Sequence, residues 1–256
     1  MSKLDVVLVP ARSDNYVYLL HDADSGSTAV VDPGAAAPVI EALEARGWKA
    51  DLIINTHHHG DHTEGNEAVR AKYGCKLAGP KSETARIAGM DITLAEGDSF
   101  DFAGHKAEIF ETPGHTSGHI AFFFPDSDIL LSGDTLFVLG CGRVFEGTME
   151  QMWSSLKKLR ALPPATRIYC GHEYTQSNAR FALSVDGENA KLQAQASEID
   201  RLRADGQPTV PSTIGDELDT NPFLRADSPA LAAAVGMEGA DPVAVFAEVR
   251  KRKDNF

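Results

Sequence analysis

The chain has 256 residues, of which 43% are hydrophobic and 24% charged, a composition typical of a folded globular protein rather than of a disordered or fibrous one. Its formal net charge of −13 argues against nucleic acid as a general partner. No window approaches 18 uninterrupted apolar residues and the N-terminus lacks a basic stretch followed by an apolar one, so we predict no membrane span and no secretory signal, and we expect a cytoplasmic protein.

The first predicted elements lead to the end of a buried strand. Residues 6–9, 16–20 and 28–31 are β-rich runs separated by turn residues, which predicts an antiparallel meander. Residues 39–43 show helical spacing, with Gly47 as the predicted C-cap, and a strand over 51–55 follows. Open α/β sheets bind ligands at the carboxyl ends of their strands, and the next residues lie there.

Those next residues are Thr56-His57-His58-His59-Gly60-Asp61-His62, in which imidazole and carboxylate groups suit zinc, iron or nickel. His57 and His59 are spaced i, i+2 and should project to the same side of an extended segment, whereas His58 should point away. Asp61 and His62 stand where a helix should begin. The cluster therefore offers two pairs of ligands, which predicts two metal ions.

Further metal-capable side chains follow predicted strands downstream. We predict a helix over 64–73, a strand over 76–78, a hairpin over 99–111 that needs a second sheet, and strands over 120–124, 129–131 and 167–170. The glycine-rich loops after these strands carry His115, Asp134 and His172, which we expect to converge with the first cluster. His119 is expected to orient its loop rather than to bind metal. The three cysteines, Cys75, Cys141 and Cys170, lack CxxC spacing and are predicted to be buried thiols.

The pattern becomes helical after Thr175. Residues 178–185, 189–203 and 242–253 have helical spacing around a break at Pro208 and Pro211. We therefore predict an α-helical tail appended to an αβ core.

Thr56 to His62 matches the THxHxDH signature of the metallo-β-lactamase superfamily, which the chain resembles over residues 1–172. Within it, the chain resembles the hydroxyacylglutathione hydrolase (glyoxalase II) family at residues 140–147, 171–175 and 221–225 and in its basic ending, 250–254. The resemblance implies an αββα sandwich of two mixed β-sheets flanked by helices, with a C-terminal α-helical domain. The implied domains are a catalytic one over 1–173 and a glutathione-binding one over 174–256.

The resemblance also implies a site and a reaction. One metal would take His57, His59 and His115, the other Asp61, His62 and His172, with Asp134 and a hydroxide bridging them. Zinc is the expected metal, with iron or manganese as alternatives. Asp61 and Asp134 would be the catalytic carboxylates in hydrolysis of S-(2-hydroxyacyl)glutathione thioesters such as S-D-lactoylglutathione to glutathione and D-lactate. This is the second step of methylglyoxal detoxification.

The residues that the family pattern points to for glutathione are Arg143, Phe145, His172, Tyr174, Arg250 and Lys253. Compared with the animal enzymes, Arg143 replaces a lysine and retains the charge, whereas Phe145 replaces a tyrosine and lacks its hydroxyl group. Arg250 and Lys253 are three residues apart on one predicted helix and are expected to reach one carboxylate together. The expected partner is the thioester alone, without nucleic acid or membrane, and a monomer is expected.

Other functions remain open at this stage. A persulfide dioxygenase shares the fold, the first histidine cluster and glutathione-type substrates, but uses a mononuclear iron site; the helical tail and its basic ending favour the thioesterase. A lactonase, or an RNA-processing nuclease, fits the net charge less well. A non-catalytic binding module would normally have lost ligands, and all seven are present. On charge alone, the basic ending is also compatible with a solvated helix end.

Overall fold

The computed structural model describes residues 2–256. The chain forms two compact units. Unit 1 contains the chain up to Glu111 and Thr116–Gly133, and unit 2 contains Thr112–His115 and Asp134–Phe256. The domain boundary at residue 173 that the resemblance implies stays a prediction.

The first sheet of unit 1 has six strands in the order β1-β2-β3-β4-β5-β6. The predicted meander is confirmed, because β1, β2 and β3 pair antiparallel, and β3 to β6 then pair parallel. Its apolar side chains form a core in which Val17, Val30 and Ile53 are fully buried. The strand bounds are β1 Asp5–Ala11, β2 Asn15–His21, β3 Thr28–Val31, β4 Leu52–Ile54, β5 Lys76–Pro80 and β6 Ile92–Leu94.

The parallel strands are connected by helices. Helix α1 (Ala36–Glu44) joins β3 to β4, and its buried residues Val39 and Leu43 are spaced i, i+4 on one face. Its C-cap is Ala45 rather than the predicted Gly47, which adopts a φ of 69° in the turn that follows. The helix predicted over 64–73 is α3 (Asn66–Tyr73), and a separate short helix, α2 (Gly60–Thr63), precedes it. They separate at Gly65, whose N–H donates to the carbonyl of Pro33.

The predicted second sheet is confirmed in unit 1. Four antiparallel strands pair there in the order β10-β9-β8-β7, of which β9 and β10 are buried throughout. Strand β6 was not predicted, because its three residues carry too short a pattern. The bounds are β7 Ser99–Phe102, β8 His105–Glu111, β9 Ile120–Phe124 and β10 Ile129–Gly133.

Unit 2 is mostly helical and includes one long helix that the sequence pattern did not predict. Helix α4 (Met149–Arg160) begins at a capping box in which Thr148 and Gln151 satisfy each other's backbone N–H groups. Phe181, Phe223 and Phe246 are fully buried and pack together. The bounds are β11 Leu136–Phe137, β12 Gly140–Cys141, β13 Arg167–Cys170, α5 Thr175–Asp186, α6 Ala190–Ala204, β14 Ser212–Thr213, α7 Ile214–Thr220, α8 Pro229–Ala234 and α9 Pro242–Asp254.

Two predictions about the whole chain can be compared with the described residues. Within residues 2–256, no helix has the length and apolar character needed to cross a membrane. Cys75, Cys141 and Cys170 are buried free thiols, as predicted. Burial raises the pKa of Cys141 to about 11 and that of Cys170 to about 12, so neither thiol is a ready nucleophile at neutral pH.

Candidate metal centre and ligand pocket

Unit 1 places both predicted ligand pairs at metal-binding spacing. His57 Nε2 and His59 Nδ1 lie 3.1 Å apart, and His62 Nε2 lies 3.7 Å from Asp61 Oδ2. Atoms that share a tetrahedral metal ion at about 2.1 Å would lie about 3.4 Å from one another. The side chain of Asn15 donates to Asp61 Oδ2 at 3.0 Å and holds that carboxylate in place. The donor set therefore fits divalent metal ions in both spacing and chemistry.

Asp32, which directly follows β3, determines which ring nitrogen of His57 and of His62 carries the proton. It is buried, and its carboxylate accepts from the Thr56 hydroxyl at 2.7 Å and lies 3.1 Å from His62 Nδ1. Since Thr56 gives its hydroxyl hydrogen to Asp32, it can only accept from His57 Nδ1, 3.0 Å away. Both histidines therefore carry their proton on Nδ1 and leave Nε2 unprotonated and available to a metal ion.

Unit 2 brings the other three predicted ligands together. Asp134 Oδ2 lies 3.4 Å from His115 Nε2 and 3.3 Å from His172 Nε2, again the spacing of atoms around shared metal ions. His115 Nδ1 lies 2.9 Å from the carbonyl oxygen of Arg143, which only accepts, so Nε2 is again the nitrogen available to a metal ion. One carboxylate oxygen between two imidazoles is the arrangement expected of a bridging ligand.

The loop of Arg143 can approach Asp134 only because residue 142 is glycine. A Cβ at Gly142 would lie 1.9 Å from the carbonyl oxygen of Asp134, so any side chain there would displace the backbone. The ring centroids of Phe145 and His115 lie 5.3 Å apart, and Tyr174 stacks on His172 with ring centroids 4.6 Å apart. Two aromatic residues thus pack against the two histidines that flank Asp134.

A buried carboxylate, Glu83, connects two loops of unit 1 that adjoin the ligands. Its Oε1 accepts from the Thr116 hydroxyl at 2.6 Å and from the Gly118 N–H at 3.2 Å, and it lies 3.1 Å from His58 Nδ1. His58 therefore faces Glu83, but its ring centroid also lies 4.8 Å from that of His59, so it does not point away from both neighbours as predicted. A Cβ at Gly118 would lie 2.4 Å from the Glu83 side chain. His119, also fully buried, stacks on His57 at 4.9 Å.

Unit 2 also contains a cavity of about 680 Å³ that includes most of the predicted substrate-binding residues. Sites of this volume hold small organic ligands. The exposed large hydrophobic side chains of the described residues, Phe145, Tyr174 and Phe256, all line it. The metal-ligand and charged side chains of its wall are His115, Asp134, Arg143, Arg180, Arg250 and Lys253.

The structure distinguishes the two cations that the sequence expects to act together. The Arg250 side chain is only 4% exposed; Nη1 donates to the Cys141 carbonyl at 2.9 Å, and Nε donates to Asp254 at 3.0 Å. Lys253 Nζ donates to the carbonyl and hydroxyl oxygens of Ser177, both at 3.2 Å. Burial, helped by neighbouring arginines, lowers the pKa of Lys253 to about 8. Arg250 thus has structural contacts, whereas Lys253 faces the cavity without a carboxylate partner among residues 2–256.

A second buried carboxylate, Glu217 of α7, holds the hairpin β11–β12 that lines this cavity. It accepts from the Leu139 N–H at 2.7 Å, from the Ser212 hydroxyl at 2.6 Å and from Asn221 Nδ2 at 2.9 Å. Asn221 also donates to the Phe137 and Gly140 carbonyls. Burial raises the pKa of Glu217 to about 7 despite these donors.

Sequence reasoning missed Asp32, Glu83, Arg180 and Glu217. Asp32 had a signal, since a carboxylate followed by Pro-Gly at a strand end is well placed to contact the next strand's loop. Arg180 follows Tyr174 and Ser177 at intervals of three on one helix face. Glu83 had none, because two of its partners lie 33 and 35 residues away along the chain.

Family comparisons divide the chain at residue 172. The family described as "Metallo-beta-lactamase superfamily" matches residues 12–172, and "Hydroxyacylglutathione hydrolase C-terminus" matches residues 173–256. Proteins named hydroxyacylglutathione hydrolase are similar over the full chain. The one from Rhizobium meliloti is 52% identical over 100% of both chains, and the one from Rhodospirillum rubrum 53% over 100% of both. The one from Methylococcus capsulatus is 51% identical over 99% of both.

Solved structures share the fold at lower identity. The BLEG-1 B3 metallo-beta-lactamase aligns with a TM-score of 0.66 and 23% identity, over 86% of this chain and 99% of its own. ETHE1 from Myxococcus xanthus aligns with a TM-score of 0.66 and 21% identity, over 98% of both chains. These likenesses confirm the predicted metallo-β-lactamase fold of mixed sheets flanked by helices. With the full-length relatives, they place the chain in the hydroxyacylglutathione hydrolase family of the metallo-β-lactamase superfamily.

Proposed function

We propose that the protein hydrolyses S-(2-hydroxyacyl)glutathione thioesters, such as S-D-lactoylglutathione, to glutathione and the 2-hydroxy acid. The observation that carries the proposal is that one cavity contains both the Asp134–His115 end and a cationic end with Arg143 and Lys253. A glutathione thioester has a reactive carbonyl at one end and carboxylates remote from it. The cavity offers a complementary group for each.

We propose His57, His59, Asp61, His62, His115, Asp134 and His172 as the ligands of two divalent metal ions, zinc first and iron or manganese as alternatives. When bound, such ions lower the pKa of water and polarise a carbonyl. The chain's part is to present the ligand atoms in fixed tautomers, through Asp32 and the Arg143 carbonyl. Asp61 and Asp134 act as the carboxylates of the reacting centre.

The remaining residues bind and orient the thioester. Arg143 and Lys253 bind glutathione carboxylates, while Arg250 holds the Cys141 carbonyl and Asp254 beside them. Phe145, His172 and Tyr174 line the path between these cations and the carbonyl. Because the leaving group is a thiolate, whose conjugate acid has a pKa of about 8.5, no general acid is needed to expel it. Phe145 supplies a ring contact but no hydroxyl, so it adds no hydrogen bond to the tripeptide.

The region up to residue 173 is proposed as the catalytic domain and residues 174–256 as the glutathione-binding domain, with a role in methylglyoxal detoxification. The cytoplasmic location, the monomeric state and the absence of nucleic-acid and membrane partners stay predictions from the sequence.

The persulfide dioxygenase alternative is not favoured, since relatives covering the full chain are named hydroxyacylglutathione hydrolase. The test is to follow loss of the thioester absorbance of S-D-lactoylglutathione with the purified protein, and oxygen uptake with glutathione persulfide. The proposal expects hydrolysis without oxygen uptake. Oxygen consumption together with an inert thioester would overturn it.

A further inference from the structure

Arg180 is a cavity cation that the sequence did not single out. It lies on α5 three residues after Ser177, which is itself three residues after Tyr174, and all three line the cavity. Residues at this spacing occupy one face of a helix. The N-cap residue Tyr174 and the following face of α5 therefore present an aromatic ring, a hydroxyl group and a guanidinium group in succession.

The other arginines of the cavity already have a carboxylate nearby. Asp254 lies 2.9 Å from Arg250 Nη2 and 3.7 Å from Arg143 Nε. Arg180 and Lys253 have no ion-pair partner within residues 2–256, although the protein carries a formal charge of −13. Arg180 lies near enough to Lys253 to be one of the charges that disfavour its ammonium form. Asp254 also acts on Lys253 but forms no ion pair with it. Two neighbouring cations without a carboxylate in direct contact are stabilised by an anion between them.

We propose that Arg180 is a specificity-determining residue that, together with Lys253, binds one carboxylate of the glutathione moiety. This inference rests on the proposed function. The guanidinium fork of Arg180 can donate two parallel hydrogen bonds to a carboxylate, and Lys253 adds a point charge beside it. The sequence predicted that Arg250 and Lys253 bind one carboxylate together. We assign this role to Arg180 and Lys253 instead, because the Arg250 donors are engaged by Asp254 and Cys141.

The experiment compares Arg180→Gln with the unaltered protein on three thioesters. They are S-lactoylglutathione, its analogue amidated at the glycyl carboxyl group, and S-lactoyl-N-acetylcysteinylglycine, which lacks the γ-glutamyl carboxylate and has no free amine to take up the acyl group. Arg180→Gln should raise KM on S-lactoylglutathione about tenfold with kcat nearly unchanged, because the contact is the same in ground and transition states. One of the two analogues lacks the carboxylate that Arg180 binds, and on that analogue the substitution should leave KM unchanged. On the other analogue the tenfold rise in KM should persist. The comparison therefore identifies the bound carboxylate.

The matched control is Arg201→Gln, an exposed arginine of α6 paired with Glu198 outside the cavity. It should leave KM unchanged, whereas Arg180→Lys should recover part of the loss. An unchanged KM in Arg180→Gln, or an equal loss on all three thioesters, would overturn the assignment of Arg180 while leaving the thioesterase intact. An unaltered protein that hydrolyses none of them would instead overturn the proposed function and the inference with it.

Discussion

Replacing Glu217 by glutamine should make the protein more stable at alkaline pH and remove part of its pH dependence. Glu217 is fully buried, and burial raises the pKa of its carboxyl group from 4.5 to about 7. A glutamine can keep the contacts, because its amide oxygen can accept from Leu139 and Asn221 while its NH2 group donates to the Ser212 hydroxyl. The substitution therefore removes a charge with little change in shape.

The sign and size of the effect follow from proton binding. Between pH 4.5 and 7 the folded protein keeps a proton on Glu217 that the unfolded chain has lost, so stability falls as the pH rises through this window and then levels off. The difference between 4.5 and about 7, at about 1.4 kcal/mol per pKa unit, corresponds to about 3 kcal/mol. At pH 8, Glu217→Gln should therefore raise the free energy of unfolding by most of this amount of about 3 kcal/mol, and at pH 5 by little of it.

The assay is urea unfolding, followed by circular dichroism, of both proteins at pH 5, 6, 7 and 8. Loss of metal ions in acid affects both proteins alike and cancels in the difference between their free energies of unfolding. That difference should grow by about 2 to 3 kcal/mol in favour of the glutamine variant from pH 5 to pH 8. A difference that is constant across this range would refute the buried, proton-retaining carboxyl group.

Three further predictions concern the cavity and the ligand loops. Raising the pH from 7 to 9.5 should raise KM for S-lactoylglutathione, because Lys253, with a pKa of about 8, loses its charge. In Lys253→Arg the rise in KM should shrink to the part that is due to the substrate's own amino group. An identical rise in both proteins would exclude Lys253 as the cause. Glu83→Gln should lower metal affinity about tenfold, measured as metal retained during dialysis against a chelator, because it loosens two loops beside the ligands; equal retention would contradict this role. Arg250→Ala should lower the free energy of unfolding by about 2 kcal/mol, since a buried donor to Cys141 is lost, and an unchanged urea midpoint would show that this contact is not structural.

The sequence predicted those features of the fold and of the site that depend on local periodicity and spacing. The meander, the second sheet, the helical tail and the spacing within the His57–His62 segment all follow from patterns within a few residues. Helix α4 was missed although its capping box, Thr148 with Gln151, is a local signal.

What the sequence could not give is the set of side chains that meet over long separations. Asp32 meets His62 across 30 residues, and Glu217 meets Leu139 across 78. Nothing near Glu83 or Glu217 in the chain marks either as buried. The occupied donors of Arg250 also depend on tertiary contact, which is why helical spacing alone paired it with Lys253.

The most direct test of the site is a titration of the metal-free protein with zinc, measuring bound metal per chain and S-lactoylglutathione hydrolysis in the same samples. The seven proposed ligands predict that activity rises to a plateau at about two metal ions per chain, and that Asp134→Ala, which removes the ligand between His115 and His172, loses most of the metal together with the activity. Full hydrolysis at one metal ion per chain, with Asp61→Ala as active as the unaltered protein, would contradict the binuclear site.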